Sequence, residues 1–245
     1  MRNLRHIFFY SMIVLFITGC DEIEGDAAHI QLGTANDVSS IQGLQYQKSF
    51  VAQVTDVNGN PVSDASVKIK VIPVYYVKGS YVWLDDNLIL TTSLTDAVRW
   101  GLYLDLDGVL PDNTSYTVCS AEDSNNNAVL DTGEDTNGNG VLDPSNPATL
   151  TAHATALPTL DPINNRISTD DSGFGYFSIT FPESVASWTT VRVIASTNVS
   201  GTESTQTLDV TLAPPITDLT SVDTAPPGGS QYSPYGTASV CTNPN

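Results

Sequence analysis

Basic side chains are scarce: nine Lys and Arg stand against 27 Asp and Glu, a formal net charge of −18 over 245 residues. A surface this acidic, with no basic patch, repels polyphosphate and excludes nucleic acid as a partner. Histidine is as sparse. Of the three, His6 lies in an apolar leader, His29 in a polar stretch and His153 in a strand-like run. That leaves no Ser-His-Asp set, no zinc motif and no phosphate-binding loop. There are three cysteines, none in CxxC spacing. The one uninterrupted apolar stretch, "IFFYSMIVLFIT", falls short of the ~20 residues a spanning helix needs. Carboxylates are numerous enough that some pair always resembles a glycosidase dyad, so such a pairing carries no weight. The expectation is a chain that is not an enzyme.

What is present is apolar enough to fold. Hydrophobic residues make up 40% of the chain and many are β-branched, unlike a disordered acidic sequence. Arg2 and Arg5 ahead of the apolar run suit a signal peptide over residues 1–19. The run ends in "ITGC", Ile17 to Cys20, which resembles the lipobox of bacterial lipoproteins. The resemblance implies cleavage before Cys20, a diacylglycerol on its sulfur and an acyl group on the new amino terminus. An ordinary secretory signal with an incidental Cys is the alternative. Two or more acyl chains anchor a protein stably, so a cell-envelope protein seated on a membrane without crossing it is expected. Asp21 resembles the signal that keeps enteric lipoproteins on the inner membrane, favouring its periplasmic face; the outer membrane or cell surface is the alternative. Without residues 1–19, seven basic side chains face 27 acidic ones, about −20.

With Cys20 carrying lipid, Cys119 and Cys241 remain. In an oxidising compartment they most simply form one disulfide; two separate buried thiols are the alternative. Closing so long a loop contributes ~3–5 kcal/mol in the chain-entropy treatment.

Residues 20–45 are polar, with scattered Gly, Asn and Ser, and read as a flexible tether. From Tyr46 the texture changes. "SFVAQVTDVNGNPVSDASVKIKVIPV" sets two alternating runs around "NGNP", the pattern of two strands joined by a tight turn. Further β-type runs follow at "YYVKGSYVWL", "NLILTTS", "RWGLYLDL", "SYTVCS", "ATLTAHATAL", "GFGYFSITF", "TTVRVIAST" and "TQTLDVTL". No comparable segment carries a helical apolar face. The fold class expected is all-β, an antiparallel β-sandwich over residues 46–212. The Pro- and Gly-rich tail, 213–245, cannot continue a central strand. Cys241 would tie it back across the domain to Cys119.

"VTDVNGNPVSDASVKIKV", Val54 to Val71, resembles the opening of bacterial Ig-like domains of the invasin and intimin type. "STDDSGFGYFSITF", Ser168 to Phe181, resembles the later strand entry of that family, with Gly175 where Ala is usual. The resemblance implies an Ig-like sandwich, and such sandwiches host adhesion, spacing and binding roles alike. About a hundred residues separate the two blocks, more than a compact Ig-like domain holds.

Part of that excess, residues 120–147, is a tandem phrase. Asp123, Asn125, Asn127, Val129, Leu130 and Asp131 recur twelve residues on as Asp135, Asn137, Asn139, Val141, Leu142 and Asp143. Oxygen side chains at alternate places suggest a loop wrapped around a hard cation. Laid on the twelve-residue calcium loop, Asp123, Asn125 and Asn127 supply the first, third and fifth ligands and the Val129 carbonyl the seventh. Asp131 supplies the ninth and Glu134 the bidentate twelfth. Ala128 stands where the sharp turn prefers Gly. The second copy has Asp135, Asn137, Asn139, the Val141 carbonyl, Asp143 and the preferred Gly140, but Asn146 where the closing Glu belongs. With no flanking helices, the pair resembles the calcium loops of thrombospondin type 3 repeats or dockerins more than a paired EF-hand. Oxygen-only ligands argue for Ca²⁺ over zinc or copper, and neutral Asn at four places points to weak sites of about 10⁻⁴–10⁻³ M. A solvated loop without metal is the alternative.

The reading that follows is a lipid-anchored, Ca²⁺-stabilised Ig-like module of the cell envelope, binding or scaffolding an envelope protein or glycan. Tyr75, Tyr81 and Trp83 offer a first rival, a carbohydrate-binding or surface-adhesion face, though such runs more often pack a core. A divergent hydrolase is the second.

Overall fold

Along Gln45–Thr55 every second side chain is buried: Tyr46, Lys48, Phe50, Ala52 and Val54. Period-two burial of this kind makes a strand with one face on a core. The computed structural model describes residues 29–84, 99–102, 116–154, 160–199 and 201–245. Its strands, in chain order, are β1 (His29–Ile41), β2 (Gln45–Thr55), β3 (Ser66–Lys78), β4 (Tyr81–Leu84), β5 (Arg99–Leu102) and β6 (Thr117–Ser120). They continue as β7 (Thr149–Thr151), β8 (Leu160–Asp161), β9 (Arg166–Ser168), β10 (Phe174–Pro182), β11 (Thr189–Val199) and β12 (Thr202–Thr211). Among the described residues the only helical segments are 3-10 turns of three or four residues, and no helix is long and apolar enough to cross a membrane.

One of the two large sheets has the order β1-β2-β10-β7 and the other β12-β11-β3-β9-β8, with β6 pairing the far end of β3; β4 and β5 form a separate two-stranded sheet. Every pairing is antiparallel. The core lies between the sheets, with Tyr46, Phe50, Val54, Phe177, Ile179 and Phe181 from the first and Val67, Ile69, Val191 and Val193 from the second. Phe50 stacks on Phe177 at 5.2 Å between centroids, and Tyr46 meets Phe181 edge-on at 5.9 Å. The all-β antiparallel sandwich is as expected. Leaving aside β4–β6 and β8–β9, the strands follow the ABED and GFC order of immunoglobulin-type sandwiches.

Three local expectations need correction or lie out of reach. The tether expected over 20–45 is, from His29, strand β1, which pairs residue for residue with β2 from His29↔Thr55 to Thr34↔Phe50. Its alternation breaks at a register shift between Thr34 and Val38, so Ile30 and Leu32 are its only evenly spaced apolar residues before the break. The two strands and the turn expected around Asn58-Gly59-Asn60-Pro61 are present, but the strands do not pair as a hairpin: β2 and β3 belong to opposite sheets. Their apolar faces meet across the core instead. The leader with Cys20 and the expected strand at residues 87–93 lie outside the described residues.

The two blocks that carry the Ig-like resemblance touch. Asp56 Oδ1 accepts the N–H groups of Asn58 and Asn60 at 2.9 and 2.8 Å, closing the turn after β2. Thr169 Oγ1 donates to the Val62 carbonyl at 2.6 Å and accepts from Ala65 N–H at 2.8 Å. Gly173 lies so near β2 that a Cβ there would come within 2.6 Å of the Val54 carbonyl. Gly175 has its own reason to lack a side chain: a Cβ would sit 2.9 Å from Ile167 Cδ1 on β9.

The segment after β12 packs over a second, smaller core. Trp188, Tyr81, Trp100 and Val77 are buried there, with Trp83, Leu219 and Tyr235 packed on them. Trp100 Nε1 donates to the carbonyls of Ser221 and Thr224 at 2.9 and 3.0 Å. Buried Lys78 donates through Nζ to the Asn243 carbonyl. Cys119 on β6 and Cys241 form a disulfide with Cα atoms 5.6 Å apart, as expected.

Candidate metal centre

Residues 121–148, between β6 and β7, form two loops of the same construction. In the first, Asp123 Oδ1 accepts Asn127 N–H at 3.0 Å and Oδ2 accepts Ala128 N–H at 2.9 Å. Asn125 Oδ1 accepts Asn127 N–H, and Asn127 Oδ1 accepts Val129 N–H at 2.7 Å. Short Asp and Asn side chains do this because their oxygen reaches a backbone donor two residues on. The amides of Asn125 and Asn127 both donate to Asp131 Oδ2 at 2.8 Å.

Twelve residues later the pattern repeats. Asp135 Oδ1 accepts Asn139 N–H at 3.1 Å and Oδ2 accepts Gly140 N–H at 3.0 Å. Asn137 and Asn139 accept from Asn139 and Val141 N–H, and their amides donate to Asp143 Oδ2 at 2.9 and 2.7 Å. Left-handed backbone falls at Asn126 and Ala128 in one loop and at Gly138 and Gly140 in the other. Burial differs place by place: Asn137 and Asp143 are buried where Asn125 and Asp131 are exposed, whereas Asp123 is buried where Asp135 is half-buried.

Glu134 closes the first loop. Its Oε1 accepts Ser124 N–H and the Ser124 hydroxyl at 3.0 and 2.7 Å, and its Oε2 accepts Asp131 N–H at 3.0 Å. The Asp131 N–H first, and then the Ser124 hydroxyl, hold its carboxyl below the usual Glu range. Sequence reasoning missed Glu122, which closes the second loop from outside it. Its Oε1 accepts the N–H groups of Thr136 and Asn137 at 3.0 and 3.3 Å, and its Oε2 accepts Asp143 N–H at 2.9 Å. The signal was available: the repeat starts one residue earlier than Asp123, since Glu122-Asp123 recurs as Glu134-Asp135. Asn146, at the twelfth place of the second copy, instead donates to the Val71 carbonyl at 2.7 Å and docks the insertion on β3.

The structure thus gathers Asp123, Asn125, Asn127, Asp131 and Glu134 into one loop, and Asp135, Asn137, Asn139 and Asp143 with Glu122 into the other. Among the described residues no three His, Cys, Asp or Glu side chains close into one metal-holding group, and Asn amides lie against the carboxylates of Asp131 and Asp143. The donor chemistry fits a hard cation. The carboxylate oxygens that take a single backbone N–H, Asp123 Oδ2, Asp135 Oδ2 and the Oε2 of Glu134 and Glu122, keep a second lone pair for an ion. With the Val129 and Val141 carbonyls, each loop offers six oxygen-bearing groups, the number at which Ca²⁺ coordination begins.

The other sequence-marked residues do not assemble. Tyr81 is buried edge-on against Trp188 at 4.8 Å and Trp83 packs on Trp100 at 5.4 Å, while Tyr75 is exposed on β3. These three aromatics form no single exposed row. His153 packs edge-on against Tyr176 at 5.7 Å. Tyr46 donates to Asp218 at 2.7 Å; burial first, and then this bond, push its phenol far above the ordinary value. That bond fastens the tail to β2. The chain matches no family model, no curated protein and no solved structure.

Proposed function

We propose that the chain is a lipid-anchored Ig-like module of the cell envelope, stiffened by calcium and acting in protein binding or scaffolding. The observation that carries this reading is the pair of insertion loops, whose backbone is wound identically by Asp and Asn at a spacing of twelve. Folding alone does not require an acidic repeat of oxygen ligands in fixed register; a solvated connector would serve. Asp123, Asn125, Asn127, Asp131, Glu134 and the Val129 carbonyl would hold one ion. Asp135, Asn137, Asn139, Asp143 and the Val141 carbonyl would contribute to a second. Calcium supplies positive charge that offsets the mutual repulsion of these carboxylates. The protein supplies the winding, and β3 supplies the platform through Tyr76, Asn146 and the disulfide at Cys119.

The strand order supports the Ig-like part of the reading. The anchor rests on the lipobox-like Ile17-Thr18-Gly19-Cys20. A long insertion braced at its base by a disulfide and set by ions suits a rigid presenting surface.

Limited proteolysis tests the module directly. Cleavage within residues 121–148 is expected to slow at least tenfold in millimolar calcium relative to chelator, and Asp123→Ala should remove most of that protection. Equal cleavage rates in both conditions would overturn the calcium part. Palmitate labelling lost in Cys20→Ser checks the anchor; a Ser variant that stays membrane-bound and normally cleaved would overturn it.

A further inference from the structure

The second loop lacks a closing carboxylate of its own. Asn146 holds that place in the sequence, but its amide is engaged with the Val71 carbonyl of β3. Glu122 reaches in instead, and it takes the N–H groups of Thr136 and Asp143. These lie twelve residues beyond the Ser124 and Asp131 N–H groups that Glu134 takes in the first loop. Each glutamate directly precedes the first aspartate of one loop and closes the other.

A separate observation points to a ligand here. Tyr76, on β3, is 0% exposed, yet its hydroxyl has no hydrogen-bond partner among the described residues. The Asn137 side chain of the second loop sits against that hydroxyl without closing a bond of good geometry, and the carboxylates of Glu122 and Asp143 lie near enough to act on it. Together with Glu122 and Glu134 it lines a hollow of about 410 Å³. A hollow of that size with Glu122, Glu134 and Tyr76 in its wall has room and partners for ordered water, and water on a bound ion is a partner for such a hydroxyl.

We propose that Glu122 is the closing ligand of the second calcium site, so that two ions are held as one interlocked pair. This rests on the calcium reading of the loops. Filling the second site fixes Glu122 and, through one peptide bond, Asp123, the first ligand of the first site. Filling the first fixes Glu134 and with it Asp135. The coupling is reciprocal and favours binding of both ions together.

Calorimetric titration of the full chain with calcium alone, disulfide intact, decides it. The parent is expected to bind two ions with a Hill coefficient above one. Glu122→Gln should bind one ion at calcium that saturates the parent, and Asn146→Ala should still bind two. Should Glu122→Gln fail to fold, Glu122→Asp keeps the charge and is expected to weaken the second site tenfold or more. Two ions in Glu122→Gln, parental affinity in Glu122→Asp, or loss of the second ion in Asn146→Ala would overturn the assignment. A parent that takes up no calcium overturns the calcium reading itself, and this assignment falls with it.

Discussion

Ala128 and Gly140 hold equivalent places with the same left-handed backbone, at φ 61° and 75°. A residue with a Cβ pays roughly 1–2 kcal/mol in that region, of which glycine's greater freedom when unfolded takes back about 0.5–1 kcal/mol. Ala128→Gly is therefore expected to raise stability by about 0.5–1 kcal/mol. Gly140→Ala, where a Cβ meets nothing within 4 Å, should lower it by a similar amount through backbone strain alone. Urea midpoints at constant slope measure both, and a stabilised Gly140→Ala would contradict the shared winding. Glu134 adds a pH dependence. Its carboxyl is held below the ordinary 4.5 by Asp131 N–H and Ser124. A group depressed in the fold stabilises fully above its unfolded value and loses that contribution as pH falls through the lower folded one. Stability should therefore fall below about pH 4.5, and Glu134→Gln should flatten that part of the profile relative to the parent.

Among the elements, the junction of β9 with β10 makes a sharp case. At Gly175 a Cβ would lie 2.9 Å from Ile167 Cδ1. Gly175→Ala is expected to cost about 1–3 kcal/mol as overpacking, and adding Ile167→Val, which removes Cδ1, should recover part of it. A double-mutant cycle by thermal melting reads this coupling; strict additivity would mean the contact is not the cause. Strands with clean alternation, such as Tyr46-Lys48-Phe50-Ala52-Val54 in β2, were legible in the sequence because one face is buried throughout. Strand β1 was not, since a register shift between Thr34 and Val38 breaks its period and leaves a polar edge. Both loops were legible through their twelve-residue register. Glu122 was legible only as a position, since Glu122-Asp123 recurs as Glu134-Asp135; its partners Thr136 and Asp143 lie 14 and 21 residues away, and the repeat does not say which loop a carboxylate closes.

Over the whole molecule, β6 ties three parts together: it extends β3, it leads into the loops, and its Cys119 bonds Cys241 across 122 residues. In the chain-entropy treatment so long a closure contributes about 4–5 kcal/mol. Cys119→Ser with Cys241→Ser is expected to lose about that much and to raise proteolytic cleavage in both the tail and the loops; protection unchanged in the loops would detach them from the brace. On the function proposed above, calcium stabilises the sandwich by binding the two insertion loops. At calcium ten times the dissociation constant each site adds about 1.4 kcal/mol, or about 3–6 °C in a chain of this size. The most direct measurement is the melting temperature of the parent, Asp123→Ala and Asp135→Ala in chelator and in about 10 mM calcium, ten times the upper end expected for such sites. The parent should rise by several degrees and each variant by clearly less; a parent with the same melting temperature in both conditions would contradict the account.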